Sequence, residues 1–123
     1  NRVPVHATGP YAVPNVTTRG RAFLTNEPVA GAFRGFGVPQ GAIAHEALMD
    51  DLADQLNIDR LEIRRRNALR VGDTTATGQR LDASCGLVAC LDALEPHWQS
   101  ALAAAASFNE TSARTRRGVR RPH

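Results

Sequence analysis

The sequence predicts an α+β arrangement in which one main strand is followed by a glycine loop and about three helices. Three observations carry that expectation. Residues 16–25 alternate between two faces, residues 32–40 place two glycines around a lone aromatic and end beside a proline, and from Gln40 onward apolar residues recur at helical spacing in separate runs.

Each element has its own reason. Residues 1–14 read as loop, because Pro4, Pro10 and Pro14 restrict the chain and Gly9-Pro10 marks a turn, with Tyr11 expected to anchor it on the core. The strand expectation over 16–25 rests on Val16, Thr18, Gly20, Ala22 and Leu24 sharing one face and Thr17, Arg19, Arg21, Phe23 and Thr25 the other. Gly20 suggests a bulge or a close crossing, and Pro28 ends the run because it has no N–H for a ladder. Gly35 and Gly37 permit backbone angles or close approaches that a side chain forbids. Pro39 then stands at a helix entrance, where its missing N–H costs nothing.

The first helix is expected to bury Ala44, Leu48, Leu52 and Leu56, widened by Ile43, Ala47 and Met49, with Glu46, Asp50, Asp51 and Asp54 on the other side and Asn57 closing it. Asp59-Arg60-Leu61-Glu62 has the form of a capping box opening a second helix that runs to about Leu69. Its adjacent Arg64, Arg65 and Arg66 splay around the axis and are expected to pair with nearby acids. Residues 72–83 form a polar loop. Ser84 is a candidate N-cap for a third helix whose core stripe is Leu87, Cys90, Leu91, Leu94 and Trp98; Pro96 kinks or ends its regular part, residues 101–106 continue it, and the pattern fades from Asn109.

The chain has 123 residues, 42% of them hydrophobic, which suffices for one domain with a core. No apolar run reaches the roughly 20 residues of a membrane helix. The chain lacks an initial Met and is expected to be a piece of something longer. Its net charge of +3 hides an asymmetry: every cation is arginine, and Arg114, Arg116, Arg117, Arg120 and Arg121 crowd the end. The preceding residues carry two more acids than bases, so the basic run reads as a solvated terminus and not as a nucleic-acid footprint on a folded face. Cys85 and Cys90, placed in one helix, stand about 140° apart around its axis. That spacing suits core packing better than a disulfide or a shared metal, and a pair of thiols fits a reducing, cytoplasmic setting.

Several motifs fall short. Arg34-Gly35-Phe36-Gly37 opens like an RNA-recognition strand motif, but Val38 replaces an aromatic and Pro39 breaks the strand. The glycine spacing to Gly41 is one residue too long for a dinucleotide fingerprint, and without lysine there is no phosphate loop of the usual kind. His45-Glu46 begins like a zinc-protease helix, but Met49 takes the second histidine's place, so His45 reads as structural. The Asn-x-Thr sites at Asn15 and Asn109 carry little without a secretion signal.

The loop in its wider context does carry a resemblance. Gly9-Pro10-Tyr11-Ala12-Val13-Pro14-Asn15-Val16, Thr25-Asn26, Gly31-Ala32-Phe33-Arg34-Gly35-Phe36-Gly37-x-Pro39-Gln40, Ile63-Arg64-x-x-Asn67, Gly72-Asp73, Thr77-Gly78-Gln79-x-Leu81 and Cys90-Leu91 follow in order. Over about residues 9–118 they resemble the molybdopterin-binding large subunit of the xanthine dehydrogenase and aldehyde oxidase family. The resemblance implies that residues 1–118 are part of a molybdopterin-binding domain, with 119–123 a basic tail or truncated strand. It implies a molybdenum hydroxylase acting on an aromatic N-heterocycle or an aldehyde with water-derived oxygen. The cofactor it implies is a molybdenum–pyranopterin, as molybdopterin or the cytosine dinucleotide form, with 2Fe–2S clusters and FAD expected on other domains or subunits.

By position, the resemblance makes the main-chain N–H of Arg34 face the metal centre, with Gly35 and Gly37 allowing the approach and Gln40 and its helix holding the loop. It places Phe36 against the substrate ring and Arg2 where purine-oxidising members have a substrate-binding arginine. The family's catalytic glutamate lies in a Gly-Glu-Pro-type segment that this chain does not contain, so no catalytic residue is assigned and the piece alone is expected to be inactive. The implied partners are the rest of the molybdopterin-binding domain, iron–sulfur and FAD subunits, and a small-molecule substrate; nucleic acid and a membrane span are not expected. Two other readings remain at this point: a catalytically inert helical interaction module or truncated remnant, and a basic-tailed nucleic-acid binder.

Overall fold

A computed structural model of the chain describes residues 2–28, 31 and 33–118. Residues 119–123, expected as a basic tail or truncated strand, lie outside them. The chain divides into two compact parts, 1–89 and 90–123, each described by itself.

The first part is built on two helices. Helix α1 spans Val38–Leu56 and helix α2 spans Arg60–Asn67. Helix α1 starts two residues earlier than its apolar period suggests. Gly37 takes the N-cap position in a left-handed conformation (φ 96°), and Pro39 sits in the first turn, where no N–H is needed. At the other end Asn57 also turns left-handed (φ 52°, ψ 45°), and the Ile58 N–H returns 2.9 Å to the Ala53 carbonyl, closing the helix in the Schellman manner. Two residues later the Asp59 carboxylate caps α2, accepting from the N–H groups of Leu61 (2.8 Å) and Glu62 (3.0 Å).

The buried cluster comprises Tyr11, Met49, Ala53 and Ile63, with Ile58 packed against it. Ala53 is fully buried, and its short side chain lets α2 come close. This corrects the expected core face of α1. The residues that leave water are Gly41, Met49 and Ala53, whereas Leu48, Leu52, Leu56 and Ile43 are exposed. The acid-bearing side is the docking side: Glu46 and Asp50 meet Arg64 at 2.8 Å each, and Arg60 reaches Asp50 (3.3 Å) and Asp54 (2.8 Å). A run of arginines on α2 therefore chooses the carboxylate stripe over the leucine stripe. The remaining arginines behave as expected, Arg65 and Arg66 both pairing with Glu62. Arg66 and then Arg65 hold that carboxyl below the ordinary range, as Arg60 holds Asp54.

The expected strand is absent. Residues 16–25 run without regular secondary structure, Phe23 and Leu24 lie exposed, and no neighbouring strand among the described residues supplies a ladder. A strand needs a partner for its backbone groups, and alternation alone does not create one. The expected close crossing at Gly20 does occur: a Cβ there would lie 2.7 Å from Pro4 Cγ. The only extended pairings among the described residues are isolated bridges, Tyr11 with Ala68 and Thr74 with Arg80. The second closes a small hairpin within the polar loop, held by Gly72 N–H to Leu81 O (2.8 Å) and Thr75 N–H to Gln79 O (2.9 Å).

Helix α3 spans Leu87–Gly118 and contains Pro96 without ending there. It starts after Cys85, so Ser84 is not its cap and the two cysteines do not share a helix. Cys85 is half-buried and donates its thiol to the Leu69 carbonyl at 3.0 Å, while Cys90 is exposed and not a core residue. The helix also continues well past Asn109, where the alanine-rich run has already set a strong local preference. No helix among the described residues is long and apolar enough to cross a membrane.

Replacing Asp59 by Ala removes the acceptor shared by two amides of α2. In the full-length protein the expected cost is about 1 kcal/mol of local stability, read as roughly fivefold faster hydrogen exchange at the Leu61 and Glu62 amides.

Candidate functional site

The loop at the head of α1 is a left-handed turn three residues long. Gly35, Phe36 and Gly37 have φ of 89°, 51° and 96°. Glycine adopts such angles freely, but at Phe36 the side chain crowds its own backbone, at a cost of about 1–2 kcal/mol. Two main-chain bonds fix the shape: Phe36 N–H to Phe33 O (2.8 Å) and Val38 N–H to Gly35 O (2.9 Å). A third, Gly41 N–H to Gly37 O (3.0 Å), ties the loop into the first turn of α1. Gln40 lies in that turn with its side chain exposed, so the tie between loop and helix is made by main chain.

Gly35 has a second reason to be glycine. A Cβ at this position would lie 2.6 Å from Pro39 Cδ. The loop folds back on its own proline, and that contact, not only an incoming ligand, demands the missing side chain.

The Phe36 ring is half-exposed, at 50%. Arg2 meets it twice: the Arg2 N–H donates to the Phe36 carbonyl at 3.1 Å, and the guanidinium carbon lies 5.7 Å from the ring centroid, within cation–π range. The structure thus brings together Arg2 and Phe36, which are 34 positions apart in sequence. Arg34 is exposed on the same loop, and its N–H has no acceptor among the described residues. No ion pair engages the guanidinium of Arg2 or Arg34 among the described residues, and residues 28–45 contain no carboxylate.

What holds Arg2 in place starts behind it. Residues 2–9 curl through His6 N–H to Arg2 O and Gly9 N–H to His6 O, both 3.1 Å. The chain then pairs with the end of α2 through Leu69 N–H to Pro10 O (3.0 Å) and Ala12 N–H to Asn67 O (2.8 Å). Tyr11, only 6% exposed, donates its hydroxyl to Glu46 Oε1 at 2.8 Å. Burial, then the bond to Glu46 and that residue's negative charge, push the phenol above the usual tyrosine range, so it stays a donor. His45 stands edge-on to the Tyr11 ring with centroids 6.1 Å apart, and Gly9 lies so close that a Cβ would come within 2.5 Å of His45 Nε2. His45 is therefore a packing residue, as its sequence context suggests. The partners Glu46 and Gly9 were not legible as part of the site from sequence, because neither lies in the glycine motif.

Two clefts lie elsewhere. One of about 820 Å³ borders Val3, Pro4, Ala7 and residues 18–22; one of about 500 Å³ runs along Leu48, Leu52 and Leu56 beside Val13 and Ile58. Neither is lined by Arg34 or Phe36.

Comparison with known proteins decides the family. The model of the molybdopterin cofactor-binding domain matches residues 1–68, more than half of the chain. The chain belongs to that family. Among its relatives is the nicotinate dehydrogenase large molybdopterin subunit of Eubacterium barkeri, 50% identical over 91 residues, or 74% of this chain and 21% of that protein. Aldehyde oxidoreductase of Megalodesulfovibrio gigas is 43% identical over 109 residues, covering 89% of this chain and 12% of its own length. The solved structure of aldehyde oxidoreductase from Desulfovibrio gigas superposes with a TM-score of 0.58 at 47% identity, over 62% of this chain and 8% of that one. The chain thus spans about a fifth or less of the length of these relatives.

The donor set of this molybdopterin-binding family member fits an anionic, oxygen-rich group. Among the described residues it offers an amide without an acceptor at Arg34, the guanidinium groups of Arg2 and Arg34 without carboxylate partners, and the positive end of a 19-residue helix with no acid in its first turn. Among the described residues no set of three His, Cys, Asp or Glu is gathered, so what this chain offers is main-chain and arginine donors.

Gly35→Ala is expected to open the loop, with faster hydrogen exchange at the Val38 and Gly41 amides of the full-length protein. Adding Pro39→Ala should recover the steric share of that loss and leave about 1 kcal/mol of left-handed backbone cost. Full recovery by the second change would show that the backbone conformation is not what Gly35 supplies.

Proposed function

We propose that this chain is the part of a molybdenum hydroxylase that presents a bare amide to the cofactor and an aromatic face to the substrate. One observation carries the proposal: Gly35, Phe36 and Gly37 form a single left-handed turn that leaves the Arg34 N–H without an acceptor among the described residues and sets the half-exposed Phe36 ring beside Arg2. Residues 1–118 then make up part of the molybdopterin-binding domain, beyond the 1–68 that the family model matches.

In this reading the Arg34 N–H and the first turn of α1 hold the oxygen-bearing side of the group, with Gly35 and Gly37 keeping side chains out of the way. When bound, the molybdenum–pyranopterin supplies two-electron oxidation with an oxygen drawn from water. Phe36 orients a planar substrate by offset or edge contact at little entropic cost, since its ring has few rotamers to lose. Arg2, 5.7 Å from the centroid of that ring, donates to an acceptor on the substrate and favours negative charge there. Aromatic N-heterocycles and aldehydes both suit a flat face with a neighbouring donor. Several relatives are named for nicotinate, xanthine or aldehyde oxidation, which supports that range. Proton transfer falls to a glutamate outside these residues, and electron exit to iron–sulfur and FAD partners in a cytoplasmic complex.

Phe36→Ala in the full-length protein with its partners is the test. Turnover of nicotinate, xanthine or benzaldehyde, whichever is oxidised, should fall by tenfold or more, the loss expected when an orienting contact goes, while molybdenum content measured by elemental analysis stays near normal. Loss of molybdenum instead would make Phe36 a structural residue and remove the substrate role.

A further inference from the structure

We infer that Glu46, with Tyr11 and Arg64, is a positioning device for the Arg2–Phe36 pair. The inference rests on the reading above and adds to it residues outside the glycine motif.

The argument starts from what carries each half of the pair. Phe36 belongs to the loop, and the loop is fastened to α1 by Val38 N–H to Gly35 O and Gly41 N–H to Gly37 O. Where α1 goes, the ring goes. Arg2 belongs to the curled segment 2–12, and that segment is fastened by main chain to the end of α2, at Asn67 and Leu69. Where α2 goes, the guanidinium goes. The offset between the two groups is therefore set by how α1 docks on α2.

Glu46 is where all three pieces meet. It stands on α1. Its Oε1 accepts from the Tyr11 hydroxyl at 2.8 Å, and its Oε2 accepts from Arg64 Nε at 2.8 Å. Its main-chain carbonyl takes a further bond from Arg64 Nη2 at 3.2 Å. Arg64 also reaches Asp50 one turn along α1, so a planar fork grips two successive turns and resists sliding of one helix past the other. The Arg64 side chain is largely buried, whereas the neighbouring Arg60 pairs are open to water and hold less firmly. Tyr11 adds the third constraint. It lies nine residues after Arg2, and its hydroxyl fixes the segment to α1 directly, not only through α2. Among the described residues Arg2 itself meets Phe36 through one exposed main-chain bond and the cation–π contact, and neither is strong enough to hold a guanidinium against a ring unaided.

The test uses the full-length holoenzyme and two mild variants, Tyr11→Phe and Glu46→Gln. Tyr11→Phe removes one hydroxyl, and Glu46→Gln keeps an acceptor for Tyr11 while removing the charge that faces Arg64. Expected are a roughly three- to tenfold rise in KM for the substrate that the enzyme oxidises, of nicotinate, xanthine and benzaldehyde, and kcat and molybdenum content within about twofold of the parent. Hydrogen exchange at the Arg2 amide should quicken in both variants. In an Arg2→Ala background the same changes should no longer alter KM, because the group they position is gone. An unchanged KM with only a lowered melting temperature would make the network structural and overturn the inference, as would a KM effect that persists undiminished without Arg2. If Arg2→Ala and Phe36→Ala themselves leave KM untouched, the substrate reading of the loop fails. Exchange at the Arg2 amide then decides the positioning claim by itself, and no change in it overturns that claim.

Discussion

The contact on which the first part of the chain depends is a carboxylate gripped from two sides. Glu46 takes a phenol from the N-terminal segment on one oxygen and a guanidinium from α2 on the other. The two donors are sheltered, Tyr11 at 6% and Arg64 at 18% exposure, which limits competition from water, while the Glu46 carboxylate itself stays 38% exposed. Breaking one partner leaves the others poorly compensated, which is why such joints specify geometry more than they add stability. Around this joint α1 and α2 meet over small residues, with Ala53 permitting the approach and Met49 and Ile63 filling it.

Much of this was readable in the sequence, and the failures have a common cause. The turn signals held because they are local: Asn57 in a left-handed cap, Asp59 on two amides, and Pro39 in a first turn each depend on a few neighbouring atoms. Tyr11 as an anchor and the paired arginines also held. The strand over 16–25 did not, because alternation specifies a face but not a neighbour, and no ladder is formed among the described residues. The core face of α1 was misread for a similar reason. Hydrophobic spacing ranks Leu48, Leu52 and Leu56 first, yet the helix that arrives bears arginines and seeks Glu46, Asp50 and Asp54. Cys85 and Cys90 were placed in one helix because apolar period says little about which residue starts it. Arg34, Gly35, Phe36 and Gly37 are legible as a loop, and Arg2 is legible only through its ungapped position in the family resemblance; that it lies over Phe36 is a fact of the fold.

The glycine loop combines two demands that pull apart. Its backbone is left-handed through three residues, and the middle one carries a ring. A glycine in place of Phe36 would relax the turn and surrender the ring. Strain is retained at this one position and avoided by glycine on both sides, and the turn rests on a rigid helical support. The support is α1, whose first turn takes the loop's carbonyl at Gly37 and whose length carries Glu46 to the joint.

The modest core has a thermodynamic side. Few hydrocarbon groups leave water in the first part of the chain, while its helices are fastened by charge-bearing hydrogen bonds. Heat-capacity change tracks apolar area and is offset by polar area. A small apolar burial of this kind is expected to give the region a shallow stability curve, with resistance to opening that changes little between cold and warm conditions.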